Sequence, residues 1–410
     1  MLNVLVWGHV EDGPCAYFRG HQFTDELKKL GVNYRGLNRV EFEVMEEGKG
    51  LLLPEAMAKG FVKIDSSDID WADVVVFRRY YNTTICCKLA PNCNFVTFSY
   101  DEAMKHEHGF QERDLITRLL WPAFNLANHG KAIVYETDDD HFNIQPWNGY
   151  MKDITPEYQM IEEMAKRADL VTVSTDVIGK RYSRFNDNVR VIKNAIEPDL
   201  YTPTVPRPDG DLPRLLYYGS TARLRDYGGY PDSRMKMKGG YAGKAVTDMA
   251  KELRTVFIGT NPGTENIISQ FFQEQYGYVE GIPKFCELLA NSHPDIGIAP
   301  LLGDEFDRAK SELHWLEYSL VGAAFIGERF KGDGPYQVVR DGVDGLLAKG
   351  RQEWYDAVKK LTRSKDLREQ LAGAAKERVL KEYNFKDRAK EWADAFQWAA
   401  DNRGKGVKVA

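Results

Sequence analysis

The sequence predicts an α/β protein of two doubly wound domains, each built on a parallel sheet. Two observations carry this. Short apolar, β-branched runs alternate with helix-patterned stretches along the chain, the pattern of parallel strands joined by helices. Midway, the segment Glu197–Pro213 holds five prolines, which neither a helix interior nor a central strand accepts, so the series is broken in two. The reading gives an N-terminal domain over residues 1–196, a linker over 197–213, a C-terminal domain over 214–383 and a last helical segment over 384–410.

In the first series, Leu2–Gly8 reads as a strand followed by a glycine-containing turn and a helix near Ala16–Leu30. Ala72–Phe77 and Ala132–Thr137 are apolar enough to be buried on both faces. Leu170–Ser174 and Val189–Ile192 complete the set. The second series runs through Arg214–Tyr218, Thr255–Gly259, Asp295–Pro300 and Ala323–Gly327, with helices between. Phe385, Ala389, Trp392, Phe396 and Ala399 then recur at spacings of four, three, four and three, an apolar stripe on a helix. That helix either docks on the second domain or, the sharper expectation, crosses back to pack on the first.

Charge and composition narrow the function classes. The 410 residues carry 55 Lys and Arg against 61 Asp and Glu, a formal net charge of −6. Binding nucleic acid or anionic lipid over a broad surface asks for the opposite sign. A hydrophobic fraction of 43% with 28% charged residues excludes a disordered or fibrous chain. No apolar run approaches the roughly 18 residues of a membrane span, so no integral membrane association is expected. Met1–Gly8 enters a strand without a basic leader, so a cytoplasmic protein without a signal peptide is expected. Cys15, Cys86, Cys87, Cys93 and Cys286 show no pairing framework and read as reduced thiols.

Ligands of open parallel sheets sit beyond the carboxyl ends of the strands. In the second series, the strand ending Tyr217-Tyr218-Gly219-Ser220-Thr221 finishes in small residues, and a glycine there lets backbone amides approach an anion. Residues 222–240 follow, with Arg223, Arg225, Arg234, Lys236 and Lys238 among four glycines and only Asp226 and Asp232 as acids. This segment reads either as a basic loop that closes over a diphosphate or as a solvated insertion. A helix starting between Arg308 and Ser311 would turn Leu313, Leu316 and Leu320 to the core and Lys310, His314 and Glu317 to another face. Such a face suits a ribose diol and phosphates, and equally a plain amphipathic helix. In the first series, Asp138, Asp139 and Asp140 follow a strand directly, and their crowding calls for a raised pKa or a partner. Asp138 or Asp139 is the candidate to orient or deprotonate an acceptor hydroxyl, with His141 and His9 as alternatives; a magnesium site is disfavoured.

Taken in order, these segments resemble the retaining GT-B glycosyltransferases, family-4-like. The resemblance rests on Ala299-Pro300-Leu301, Lys310-Ser311, Leu316-Glu317-Tyr318, Gly322, Gly342 and Gly345-Leu346-Leu347. Upstream, the strand end Val134-Tyr135-Glu136-Thr137-Asp138-Asp139-Asp140 resembles the Asp-Asp strand end of phage and bacterial members. Val171–Thr175, Val191-Ile192-Lys193-Asn194 and Pro14 with Tyr17 and Arg19 resemble further signatures of the family. The chain departs from the pattern at Ala309, where the family's first motif glutamate would stand, and at His314, where a lysine is usual.

The resemblance implies the GT-B fold, two Rossmann-like domains facing a central cleft. It implies a donor site at Gly219, Ser220, Arg223, Arg225, Lys310, His314 and Glu317, with Glu317 on the nucleotide ribose and Gly219 against the diphosphate. Tyr17, Arg19, Arg78 and His141 fall on the acceptor side, with Arg79 beside them, and Asp138 and Asp139 at the reacting centre. The activity implied is retaining transfer of a sugar from a nucleoside-diphosphate sugar, a UDP-sugar by preference, with no metal or other cofactor required. The acceptor is open: a saccharide, a lipid-linked group or a hydroxymethylated base in DNA. Two further readings stay alongside, a sugar-nucleotide epimerase and a silent sugar-nucleotide-binding module.

Overall fold

The structure is a computed structural model. It describes residues 1–7, 14–37, 39–49, 62–64, 67–78, 84–87, 96–97, 130–146, 148, 158–219, 224–228, 230–231, 237–238, 240–260 and 271–404. Packing divides the chain into two compact units. The first comprises Met1–Glu11, Arg19–Ile192 and Ala389–Ala410, and the second Asp12–Phe18 and Lys193–Arg388.

The strands, in chain order, are β1 (Leu2–Trp7), β2 (Val32–Leu37), β3 (Arg39–Val44), β4 (Val62–Ile64), β5 (Val74–Arg78), β6 (Thr84–Cys87), β7 (Val96–Thr97), β8 (Ala132–Thr137), β9 (Leu170–Val173) and β10 (Val189–Val191) in the first unit. The second unit has β11 (Arg214–Tyr218), β12 (Tyr230–Pro231), β13 (Met237–Lys238), β14 (Arg254–Thr260), β15 (Glu274–Gly277), β16 (Ile296–Ala299), β17 (Ala324–Glu328) and β18 (Leu346–Ala348).

The main sheet of the first unit runs β10-β9-β8-β5-β1-β2, and that of the second β15-β14-β11-β16-β17-β18. Every pairing in both is parallel. The expected tandem of doubly wound sheets is therefore present. A smaller sheet of order β4-β3-β6-β7 and the pair β12-β13 complete the strands. In each main sheet the connections leave two neighbouring strands in opposite directions, between β1 and β5 in the first and between β11 and β16 in the second. Ligands of doubly wound sheets bind at these switch points, outside the carboxyl ends of the strands.

The sequence explains why these strands are interior. All five residues of β5 and all six of β8 are buried, as continuous β-branched runs require. In β11 the two-residue period of a strand divides the core: Leu215 and Tyr217 pack on one face with Phe257, Ile298 and Trp354, while Leu216 and Tyr218 pack on the other with Ile258, Trp315 and Tyr318. The expected helix near Ala16–Leu30 is instead broken into Pro14–Arg19, a 3-10 turn at His21–Phe23 and Thr24–Lys29, because Gly20 adopts φ −154° and ψ −74°, outside the helical region. The last helix, Phe385–Asp401, buries Ala389, Trp392, Ala395, Phe396 and Ala399. Its turns from Ala389 onward belong to the first unit, where Trp392 meets Phe23 and lies 4.8 Å beneath the Arg19 guanidinium. No helix among the described residues is long and apolar enough to cross a membrane.

The second switch point is packed tightly. Gly297 in β16 faces the ring of Tyr318, and a Cβ there would stand 2.2 Å from a ring carbon. The Tyr318 hydroxyl sits between the carbonyls of Leu216 and Ile298, at 3.1 and 3.3 Å, and so bridges β11 to β16. Gly297→Ala should therefore cost about 3 kcal/mol through overpacking, a fall of roughly 6–12 °C in a thermal melt. A melt within a degree of wild type would show that Tyr318 moves aside freely.

Candidate functional site

At the carboxyl edge of the second sheet, β11 ends in Tyr218 and Gly219, beside Gly259 of β14. The Gly219 N–H donates to the Ile258 carbonyl at 3.0 Å. Gly259 has φ +115°, and a Cβ there would lie 2.2 Å from the Gly219 oxygen. No Cβ fits at Gly259 against the Gly219 carbonyl, so next to the switch point these two strand ends meet backbone to backbone.

After β16 the chain makes a short helix, Glu305–Arg308, before the helix Leu313–Leu320. The Asp304 side chain caps the first of these by accepting from the Asp307 N–H at 2.9 Å. The Asp307 carboxylate in turn accepts from the N–H groups of Leu302 and Gly303 at 2.9 and 3.0 Å. Those two amides face an internal anion.

The long helix begins at Leu313, later than the sequence suggests, so Lys310 stands before it, with its ammonium 4.0 Å from the centre of the Phe306 ring. Lys310, His314 and Glu317 therefore do not share one helical face. Ala309 is buried in the turn.

Glu317 departs furthest from an exposed binding face. It is 2% exposed. Tyr201 donates its hydroxyl to one carboxylate oxygen at 3.1 Å, and Tyr218 donates to the other. Burial raises the carboxyl to about 7, against the pull of the two hydroxyls. The Tyr218 ring, anchored at its hydroxyl end, stacks on His314 with centroids 4.5 Å apart and planes 21° apart. Glu328, at the end of β17, is also raised to about 7 by burial, while Trp354 donates to it at 2.9 Å.

In the first unit, the edge of β5 and β8 carries a buried ionic cluster. Arg19 donates to one oxygen of Glu136 at 2.8 Å, and Arg78 to the other at 3.2 Å. Arg78 also reaches the Arg19 carbonyl at 3.0 Å and the Tyr34 hydroxyl at 3.1 Å, and Arg19 donates to the Ile192 carbonyl. All three members of the cluster are buried. Arg19 and Arg78, read on the acceptor side, are engaged with Glu136 inside the unit. Asp138 and Asp139 are half-buried just beyond, with the loop backbone fixed by Ser174 donating to the Asp138 carbonyl at 3.1 Å and Thr137 to the Asp139 carbonyl at 3.0 Å. Asp140 is buried against Arg181, and burial raises its carboxyl pKa despite that partner. His141 is buried as well. Tyr17 falls in the second unit, where its hydroxyl donates to Glu197 at 2.7 Å.

Arg225 is exposed on the short helix Leu224–Gly228. Ser220, Arg223, His9 and Arg79 lie outside the described residues, as does much of the basic segment. Among the described residues no group of three or more His, Cys, Asp or Glu side chains is placed to hold a metal ion. The sequence reading gave no role to Glu136, Gly259, Tyr201, Tyr218 or Glu328. Glu136 carried a signal, a lone charge inside an otherwise uncharged buried strand; Tyr201, in the proline-rich segment, carried none.

The two sheets with their switch points define the GT-B architecture. Sucrose-phosphate synthase from Thermosynechococcus elongatus is similar over 97% of this chain and 99% of its own, with a TM-score of 0.61 and 12% identity. HepE of Anabaena in complex with UDP is similar over 97% and 100%, with a TM-score of 0.55 and 12% identity. A glycosyltransferase of Rickettsia africae is similar over 98% and 99%, with a TM-score of 0.55 and 11% identity. Residues 286–394, which include Glu317 and its helix, match a family described as "Glycosyl transferase-like". No curated protein sequence matches the chain.

The Glu317 carboxyl should make stability depend on pH. Its folded-state pKa lies above the ordinary 4.5, so the folded chain keeps a proton that the unfolded chain releases. Stability should then fall as pH rises from about 4.5 to about 7, by roughly 3 kcal/mol for this group. Glu317→Gln should remove that share of the slope in denaturant titrations, leaving the share of Glu328, which titrates in the same window. An unchanged slope would mean that the carboxyl titrates normally.

Proposed function

We propose that this chain is a glycosyltransferase that moves a sugar from a nucleoside-diphosphate sugar, a UDP-sugar by preference, to an acceptor hydroxyl with retention of configuration. The observation that carries the reading is the side-chain-free meeting of Gly219 and Gly259 beside the second switch point, which leaves a diphosphate room at the strand ends. The match of residues 286–394 to a glycosyl transferase-like family supports it, as does the likeness to HepE, whose structures contain UDP and UDP-glucose.

In this reading the second unit binds the donor. Gly219 and Ser220 receive the diphosphate, and His314 with the basic residues Arg223, Arg225 and Lys310 offsets the charge that builds on it as the glycosidic bond breaks. The half-buried Asp138 and Asp139, on a loop held by Ser174 and Thr137, orient the acceptor hydroxyl and accept its proton. The buried Arg19–Glu136–Arg78 cluster fixes the strand ends from which that loop leaves.

A thermal-shift panel of UDP, GDP, ADP, CMP and NAD tests the donor class. UDP at about 100 times its dissociation constant should stabilise the protein by roughly 2.7 kcal/mol, a shift of several degrees. Labelled UDP-sugar should then be consumed in the presence of acceptor, with Asp138→Asn or Asp139→Asn lowering the rate about 100-fold or more. A panel in which no nucleoside diphosphate shifts the melt would remove the donor reading.

A further inference from the structure

The three adjacent aspartates after β8 are not equivalent. Asp138 and Asp139 are half-buried, whereas the Asp140 side chain turns inward, is wholly buried and pairs with the half-buried Arg181. Asp140 also begins the 3-10 turn His141–Asn143, its carbonyl accepting from the Asn143 N–H at 3.1 Å. A buried ion pair adds little net stability, because desolvation offsets the attraction; what it supplies is a defined geometry.

Arg181 is itself firmly mounted. It lies in the helix Asp176–Tyr182, which Thr175 caps by accepting from the Ile178 N–H at 3.3 Å. A Cβ on Gly179 would stand 3.0 Å from a methyl of Val191, so the helix lies close against the sheet. Next to Arg181, the buried Tyr182 ring packs on Tyr135 of β8 and on Phe142, each at 5.9 Å. The other arginine nearby, Arg184, lies over the rings of Phe142 and Phe185. One strand-and-helix element therefore grips the loop twice. Ser174, just after β9, holds the Asp138 carbonyl, and Arg181 holds the Asp140 side chain. Asp139 lies between the two grips.

We propose that Arg181 is a positioning residue: through Asp140 it fixes the loop 138–140 against the helix Asp176–Tyr182 and so sets the aim of Asp138 and Asp139 at the acceptor hydroxyl. The aim at an acceptor rests on the function proposed above; the grip on the loop does not. The third aspartate thereby has a task distinct from that of its neighbours: they face outward to the reaction, and it faces inward to the arginine.

Two measurements test it. Without ligand, amide hydrogen exchange in Arg181→Gln should quicken about tenfold or more over residues 138–143 and stay within about twofold in β8 and β9. Asp140→Asn should do the same, and Arg181→Lys, which keeps the charge, should restore most of the protection. Loop exchange as slow as in wild type in Arg181→Gln and Asp140→Asn would overturn the grip; should Arg181→Gln fail to fold, Asp140→Asn and Arg181→Lys decide it. With UDP-glucose as donor and a panel of free monosaccharides as acceptors, Arg181→Gln should lower kcat about tenfold or more, with UDP affinity within about twofold of wild type. In the Asp140→Asn background, Arg181→Gln should cost less than about twofold further. A further tenfold loss there would show that Arg181 acts on substrate directly, and an unchanged kcat in the single variant would remove its role in aiming the aspartates. If wild type neither binds UDP nor transfers glucose, the function reading fails while hydrogen exchange still decides the grip.

Discussion

A carboxylate removed from water must be supplied with donors or lose its charge, and each unit of this protein meets that constraint at the mouth of its sheet by a different route. Glu136 receives two guanidinium groups. Two full positive charges face it, and the cluster pins β5, β8 and the chain at Arg19 to one another. Glu317 receives two phenols and, among the described residues, no cation. Its charge is supported only by dipoles, which leaves it near the point of taking up a proton. The first arrangement gives a fixed frame, and the second an anchor whose strength varies with pH.

These choices shape what surrounds them. The arginines are spent on Glu136, and beyond them the first sheet's edge carries the half-buried aspartates of the next loop, whose backbone is held by Ser174 and Thr137. Because Asp307 consumes the amides of Leu302 and Gly303, the loop after β16 is occupied internally, and the side-chain-free edge lies at Gly219 and Gly259. Tyr318 serves the same edge from beneath by joining β11 to β16 across the missing side chain of Gly297.

Much of the fold was legible in the sequence because parallel strands declare themselves. Runs such as Val74–Phe77 have no polar side to hide, and the proline-rich break is equally plain. The stripe from Ala389 to Ala399 named the buried face of the last helix. The site was legible at its positions and obscure in its contacts. Spacing placed His314 and Glu317 on one helix but was silent on where that helix began, since Asp304 and Asp307 organise a separate turn first. It was equally silent on Tyr201, which lies 116 residues before Glu317; a pairing across such a separation leaves no local trace. The ion pairs of Arg19 and Arg78 were likewise hidden, as a basic residue looks alike in sequence whether it faces solvent or a buried glutamate.

The composition of the first unit has a consequence for biosynthesis. It draws on residues 389–410 as well as on the N-terminal half, and Trp392 supplies the surface that covers Arg19 and Phe23. On the ribosome, the N-terminal part of this unit therefore waits, with an arginine and a phenylalanine uncovered, until Trp392 has emerged. Vectorial folding from the N-terminus cannot complete it. The second unit, whose segment Lys193–Arg388 is almost contiguous, can close earlier, so the order of completion runs opposite to the order of translation.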